Sequence, residues 1–340
     1  MTRTARIWFN RGFSLGPIAA LMRAADPSIE VFASVSAEGL HHSGPTRTWL
    51  DGGDTDPCDT EAYLNWVRDM IATHAIDIFI PTRRRVLLAG AGLACSVHLP
   101  ASIETLAVLD DKYRFANSLA RHDYYLPTKL ARSADELEGV LAGEWAAQWG
   151  AGICVKPNRG VNGLGFWRLR DVSPMAHLQE PDRRLIRPEQ YLSAVREQDR
   201  SGSMEPLVVM PYLPGPEISF DILAYRGDVL KYAARTKLST GRQHIVSRHP
   251  LDRAVAAIVA KFELHGLVNA QFRRAENGQW LLLEINARPA GGVVHADQVG
   301  CNMVGDWAGL LTGRITPETV GRGNIDAEVA FSSVTTPVAA

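Results

Sequence analysis

The stretch Trp280-Leu-Leu-Leu-Glu284-Ile-Asn286-Ala-Arg288-Pro289 constrains the fold of this chain more than any other. Four apolar residues are followed by an alternation in which Glu284, Asn286 and Arg288 share one face while Ile285 and Ala287 take the other, the period of a β-strand. Before it runs Asn269-Ala270-Gln271-Phe272-Arg273-Arg274, and the intervening Ala275-Glu276-Asn277-Gly278 reads as a hairpin with an Asn-Gly turn. Gln271, on the partner strand, can face the same way as Glu284 and Asn286. One carboxylate and two amide oxygens converging there suit a hard, oxygen-seeking cation such as Mg2+. Arg288 would neutralise a phosphate or acyl-phosphate held by that cation. The plainer reading, a solvated hairpin face, is weakened because Trp280 to Leu283 is wholly apolar. A buried strand that turns polar only at its end usually ends at a site.

At 340 residues the chain has core enough for two or three domains. Its formal net charge of −1 gives no global electrostatic case for nucleic acid or an anionic membrane. The opening Met1 to Asn10 has no long apolar segment and no run of 18 apolar residues follows, so neither a signal peptide nor a transmembrane helix is expected. Cys58, Cys95, Cys154 and Cys301 are widely spaced, form no zinc pattern, and read as reduced thiols of a cytoplasmic protein.

From the N-terminus, strand patterns at Ala5–Asn10, Ile29–Ser34 and Ile76–Ile80 alternate with helical patterns near 17–25 and over Thr60–His74, where Tyr63, Trp66, Val67 and Met70 form a stripe. This predicts a small parallel α/β domain. The loops Asn10–Gly16 and Pro81–Arg85 leave the carboxyl ends of strands, where ligands bind in open α/β sheets. Gly12 and Gly16 alone make no dinucleotide fingerprint. Arg83, Arg84 and Arg85 are either a solvated loop or a grip on an anionic substrate.

Leu106–Asp111 reads as a linker or strand, and Lys112–Arg121 as a helix. Ser133 with Glu136 forms a capping box that starts a helix running to about Trp149. Ile153–Lys156 is a strand ending on a lysine, followed by the loop Asn158-Arg-Gly160-Val-Asn-Gly163-Leu-Gly165 and a returning strand at Phe166–Leu169. No helix and no GKS/T follows, so this is a hairpin flap whose glycine amides can approach phosphates. A helix is expected at 188–200, strands at 207–210, 218–225 and 229–237, and a helix at 251–265. After Arg288, Gly291-Gly292 opens a helix whose N-terminus would favour an anion. His295 could deprotonate an amine, although a lone histidine near a glycine turn is more often structural. Residues 332–340 read as a loose tail.

The ordered landmarks Lys112, Lys156, the Gly160–Gly165 flap, the Met210–Glu217 segment, Gln271, Glu284, Asn286 and Arg288 resemble the ATP-grasp superfamily over about residues 106 to 312. Within it they look most like the carbamoyl-phosphate-synthase-type and carboxylate–amine ligase branches. The implied organisation is an α/β pre-ATP-grasp (Rossmann-like) domain over 1–105, a two-lobed ATP-grasp domain over 106–315 with a mobile lid lobe at about 125–210, and an extension or tail over 316–340. Ile7 to Ser14 resembles ATP-grasp proteins encoded with tellurite-resistance-type operons.

The resemblance implies roles position by position. Lys112 and Lys156 bind ATP phosphates, and Gly160, Gly163 and Gly165 form the flap over them. Pro211, Tyr212 and Leu213 form the adenine hinge, using the Pro211 carbonyl and the Leu213 amide because proline has no N–H. Glu217 takes the ribose hydroxyls. Gln271, Glu284 and Asn286 hold Mg2+ or Mn2+, and Arg288, with Arg235 and Lys237, serves the transferred phosphoryl group and substrate. Two positions depart from the family: Met210 replaces a common glutamate at the base, and Gln271 a common Asp or Glu at the metal. The implied chemistry is that of an ATP-dependent carbon–nitrogen ligase, in which a small-molecule carboxylate becomes an acyl-phosphate and an amine displaces the phosphate. Bicarbonate or a non-amine nucleophile, and a nucleotide-binding regulator without turnover, are the alternatives. Homodimers are common in the family.

Overall fold

The computed structural model describes residues 4–12, 14–35, 44–52, 59–160, 163–239 and 241–331. The tail expected over 332–340, Val161 and Asn162 of the flap, and Phe13 of the first loop lie outside the described residues. The chain divides into two compact units, one of Met1–Thr105, Ile218–Ala270 and Ile285–Ala340, the other of Leu106–Glu217 and Gln271–Glu284.

In the first unit, β1 (Ala5–Phe9), β2 (Ile29–Val35), β3 (Arg47–Leu50), β4 (Ile78–Ile80) and β5 (Ser96–Val97) form a parallel sheet in the order β3-β2-β1-β4-β5. This is the α/β pattern expected from the alternation of strands and helices, and strand order reverses between β1 and β4. Helix Thr60–His74 starts where Asp59 accepts the Ala62 amide at 2.8 Å, and its stripe Tyr63, Val67 and Ile71 packs with Trp8, Phe32 and Phe79. Ile7, Phe9, Ile78 and Ile80 belong to another cluster, shared with Ile18 and Met22 of helix Leu15–Ala25 and Met303, Val304 and Trp307 of helix Met303–Leu311. Strand alternation thus splits two adjacent apolar sets.

The second unit holds β6 (Lys129–Ala131), β7 (Ile153–Pro157), β8 (Trp167–Leu169), β9 (Leu185–Ile186) and β10 (Leu207–Pro211), in the order β6-β10-β7-β8-β9. β10 runs antiparallel to both β6 and β7. A third sheet has the order β15-β14-β11-β12-β13-β16, from β11 (Glu217–Tyr225), β12 (Asp228–Ser239), β13 (Arg242–Val246), β14 (Gly266–Arg274), β15 (Trp280–Asn286) and β16 (Asp326–Ala330).

Several local expectations are corrected. Residues 103–109 are a helix rather than a linker or strand: Ser102 Oγ accepts the Thr105 amide at 3.1 Å, Glu104 lies in the first turn, and Leu106 is buried. The helix expected from 134 to about 149 breaks into Ala134–Ala142 and Glu144–Ala147, because Gly143 is extended (φ −81°, ψ 161°). Ser133 Oγ does accept the Glu136 amide, but Glu136 Oε2 returns the bond to the Arg132 amide rather than to Ser133. In the hairpin turn only Gly278 has positive φ (87°), and its amide donates to the Ala275 carbonyl at 3.0 Å. The expected hairpin is thus closed by a four-residue turn over Ala275–Gly278 that ends on a left-handed glycine.

Trp8 is fully buried, stacks on Phe79 at 4.4 Å and donates from Nε1 to Ser34 Oγ at 3.0 Å. Trp8→Ala should cost about 3–5 kcal/mol, read as a lowered urea midpoint by circular dichroism. A loss below about 1 kcal/mol would contradict this packing.

Candidate functional site

In the second unit, buried Asn158 follows the end of β7. Its Oδ1 accepts the Tyr113 amide at 2.9 Å and its carbonyl accepts the Lys112 amide at 3.1 Å, pinning helix Lys112–Ser118. Lys112 Nζ donates to the Gly160 carbonyl at 2.9 Å and lies 3.4 Å from the Asn158 carbonyl. Burial pushes the Lys112 ammonium down to about 8, and the Lys156 cation adds to this, while Glu284, Asp110 and Asp111 act in the opposite direction.

Lys156, Gln271, Glu284, Glu217 and Arg273 line one cavity of about 230 Å³, together with Gly163 and Pro211 to Leu213. Its remaining lining residues are Cys154, Phe166, Met210 and Leu283, so the cavity mixes apolar and charged side chains. A neighbouring cavity of about 490 Å³ shares Pro211, Tyr212 and Leu213 with it. The smaller one is the candidate site, because it holds Lys156, Glu284 and Gln271.

The flap residues are positioned by close contacts. Gly165 has φ 70°, and a Cβ there would lie 2.7 Å from Pro157 Cδ. Such a contact requires glycine. The Gly163 carbonyl accepts from the Phe166 amide at 3.1 Å and from Arg184 Nη1.

The segment from Tyr212 to Glu217 is held by two arginines that sequence reasoning missed. The Tyr212 ring has the Arg168 guanidinium 3.5 Å from its centroid and that of Arg273 at 5.4 Å. Arg273 also donates to the Gly215 carbonyl at 3.2 Å and to Tyr212 Oη at 3.4 Å, and its Nη1 lies 3.8 Å from Glu217 Oε2. The signal available was positional: Arg273 stands two residues after Gln271, on the same strand face. Nothing local marked Asn158 beyond its place between a strand-end lysine and a glycine loop.

In the first unit, Asp221, Arg235, Gln243 and Asn269 are buried together. Arg235 donates from Nε to Asp221 Oδ2 at 2.5 Å, from Nη1 to Gln243 Oε1 at 3.1 Å and from Nη2 to Ser219 Oγ at 3.3 Å. Asn269 Nδ2 reaches Ser219 Oγ, the Phe220 carbonyl and Asp221 Oδ1 at 2.8, 3.0 and 2.9 Å. Asn286 Nδ2 lies 3.5 Å from Asn269 Oδ1. The Arg288 amide donates to the Asn286 carbonyl at 2.8 Å, and Lys237 is exposed on β12. A Cβ on Gly292 would meet Arg235 Nη1 at 2.2 Å, so the glycine opening helix Val293–Gln298 makes room for a guanidinium. Burial and the Arg235 cation both push His295 down.

At the carboxyl edge of the parallel sheet, buried Asn10 joins β1 to the segment after β4. It donates to Tyr63 Oη and to the Arg83 carbonyl at 3.0 Å each, and accepts the Thr82 amide at 2.7 Å. Arg84 lies over the Tyr63 ring at 4.3 Å, and Arg85 donates to the Ala287 carbonyl at 3.0 Å.

Arg273→Met should quicken amide hydrogen exchange across 212–217 and leave β1–β5 unchanged, by mass spectrometry. Unchanged exchange across 212–217 would show that Arg273 does not hold the segment.

Residues 203–335 match the family described as ATP-grasp in the biosynthetic pathway with Ter operon. The sequence resemblance to that group rests on Ile7 to Ser14, whereas the match covers the β14–β15 hairpin and its surroundings. None of the curated proteins compared matches the chain. Among solved structures, N5-carboxyaminoimidazole synthetase from Staphylococcus aureus complexed with ADP is similar at 13% identity, TM-score 0.63, over 93% of this chain and 79% of that one. L-amino acid ligase from Bacillus licheniformis is similar at 14% identity, TM-score 0.61, over 95% and 78%. The biotin carboxylase domain of Hydrogenobacter thermophilus 2-oxoglutarate carboxylase, in complex with MgADP, ADP and bicarbonate, is similar at 16% identity, TM-score 0.62, over 92% and 70%. No described helix is long and apolar enough to cross a membrane. The chain shares the fold of these solved structures, and its residues 203–335 are similar to the ATP-grasp family of the Ter operon.

Proposed function

We propose that this chain is an ATP- and Mg2+-dependent ligase that activates a small-molecule carboxylate as an acyl-phosphate for attack by an amine. The observation that carries this reading is that Lys156, which lines the cavity with Glu284 and Gln271, crowds a second, half-buried lysine, Lys112. Burial and Lys156 lower the Lys112 pKa to about 8, so the free protein holds positive charge there at a cost. A polyphosphate relieves that cost.

The donor set fits the metal. Among the described residues no group of three His, Cys, Asp or Glu side chains could hold an ion. Gln271, Glu284 and Asn286 instead offer one carboxylate and two amides, all oxygen donors, as Mg2+ prefers. Bound ATP and Mg2+ supply the phosphoryl group and the neutralising charge, a chemistry that depends on positioning and electrostatics more than on covalent help.

The protein's residues do the rest. Lys112 and Lys156 bind phosphate oxygens, under the flap of Gly160, Gly163 and Gly165. Cys154, Phe166, Met210 and Leu283 wall the base. The Tyr212 amide already donates to the Gly152 carbonyl at 2.8 Å, so the base edge is read by the Pro211 carbonyl and the Leu213 amide. Glu217 takes the ribose hydroxyls, steadied by Arg273. Arg288 and Lys237 bind the developing anion, while Arg235, paired with Asp221, acts by holding its neighbours. The substrates are small carboxylates and amines; homodimer formation and a cytoplasmic location accompany this reading.

ADP formation with Mg-ATP across a panel of amino acids, alone, in pairs and with bicarbonate, tests the proposal. Turnover that needs both a carboxylate and an amine is expected, and Glu284→Ala should lower it at least about 100-fold while ATP binding in EDTA persists. ATP binding with no ADP formed from any carboxylate would leave a nucleotide-binding protein without turnover. ADP formation with bicarbonate alone would favour carboxylation.

Nucleotide binding should also be linked to protons. Phosphate raises the Lys112 pKa above its free value of about 8, so the complex binds more protons than the free protein. Affinity is then full below pH 8 and falls above it. Calorimetry at pH 8 in buffers of different ionisation enthalpy should show proton uptake that Lys112→Met removes. Proton release in the parent protein would contradict the assignment.

A further inference from the structure

We infer that Asn269 is a positioning residue, which sets through Asp221 which end of the Asn286 amide faces a bound divalent cation. This rests on the Mg2+ reading above. An asparagine side chain has nearly isosteric ends, one a donor and the other an acceptor, and only its partners decide which way it points. For a metal ligand the choice matters, since an –NH2 end cannot coordinate Mg2+.

The polarity originates at Asp221. Its ionised carboxylate only accepts, and it takes Arg235 Nε at 2.5 Å and Arg235 Nη2 at 3.3 Å. The end of Asn269 that faces Asp221 must therefore be the nitrogen. The Phe220 carbonyl, also an obligate acceptor, lies 3.0 Å from that nitrogen, with Asp221 Oδ1 at 2.9 Å. Asn269 is fully buried, so no bulk water can reverse the choice. Its oxygen then points toward Asn286 Nδ2, 3.5 Å away. With its nitrogen directed at Asn269, Asn286 has its oxygen directed elsewhere, as a ligand oxygen must be. Partners of this outer kind typically change metal affinity 10–100-fold.

A carboxylate in place of Asn286 presents an oxygen whichever way it turns, so loss of Asn269 cannot turn a nitrogen toward the cation. Asn269→Leu removes the polarity. Asn269→Ser is a second variant, whose shorter hydroxyl can still satisfy Asp221 but imposes no orientation on Asn286. Both are made in the parent and in the Asn286→Asp background, and Mn2+ uptake by the nucleotide-free protein is followed by electron paramagnetic resonance. In the parent background the Asn269 variants should weaken Mn2+ binding about tenfold. In the Asn286→Asp background, where the Asn269 oxygen faces a carboxylate instead of an amide nitrogen, they should not weaken it. Equal losses in both backgrounds, or no loss in the parent background, overturn the relay while leaving the metal reading intact. Failure of the parent protein to take up Mn2+ removes the metal reading, and the relay with it.

Discussion

The buried pair of Asp221 and Arg235 organises the polar interior of the first unit. Asp221 is 1% exposed and Arg235 7%, so each charge has lost its water and depends on the other. Removing either alone would strand its partner, at about 3–5 kcal/mol. The two sit diagonally across β11 and β12, where Ser219 pairs with Arg235 and Asp221 with Ala233. From there the pair's influence spreads: Gln243 and Ser219 take further guanidinium donors, Asn269 is held by the carboxylate, and position 292 has no room for a side chain.

The second unit solves the opposite problem. There two cations, Lys112 and Lys156, act on one another. Lys112 donates to carbonyl oxygens, and the pull of Glu284 is outweighed by burial and by Lys156. Carbonyl dipoles hold an ammonium in place without cancelling its charge. The cavity that Lys156 lines also carries a thiol, a thioether, Phe166 and Leu283, so charged and apolar groups share its lining.

Much of this was legible in the sequence. Glu284, Asn286 and Lys156 stand at the ends of otherwise apolar strands, and polarity at a strand end is a local signal. The hairpin was legible for the same reason, although its turn type depended on Gly278 alone being left-handed. Leu106–Asp111 was misread because Leu-Ala-Val-Leu suits a strand as well as a helix, and the deciding cap is Ser102. Asn158, Arg273, Asp221 and Asn269 carried no adequate local signal. Asn269 sits in an apolar strand, and its meaning comes from Asp221, 48 positions away in the chain. The pairing of β16 with β13 was invisible likewise, since Asp326–Ala330 has no distinctive pattern before a partner is known.

The closing of one apolar face by helix Met303–Leu311 bears on how the chain is made. Ile7, Phe9, Ile78 and Ile80 share a cluster with Trp307, so the N-terminal sheet cannot complete its core when its own last strand leaves the ribosome. About 205 residues separate β5 from that helix. At about 5–20 residues per second, synthesis leaves the face incompletely covered for roughly 10–40 s. During that interval the nascent chain presents a half-finished β-sheet to its surroundings, and the early domain depends on late sequence for its solubility as much as for its stability.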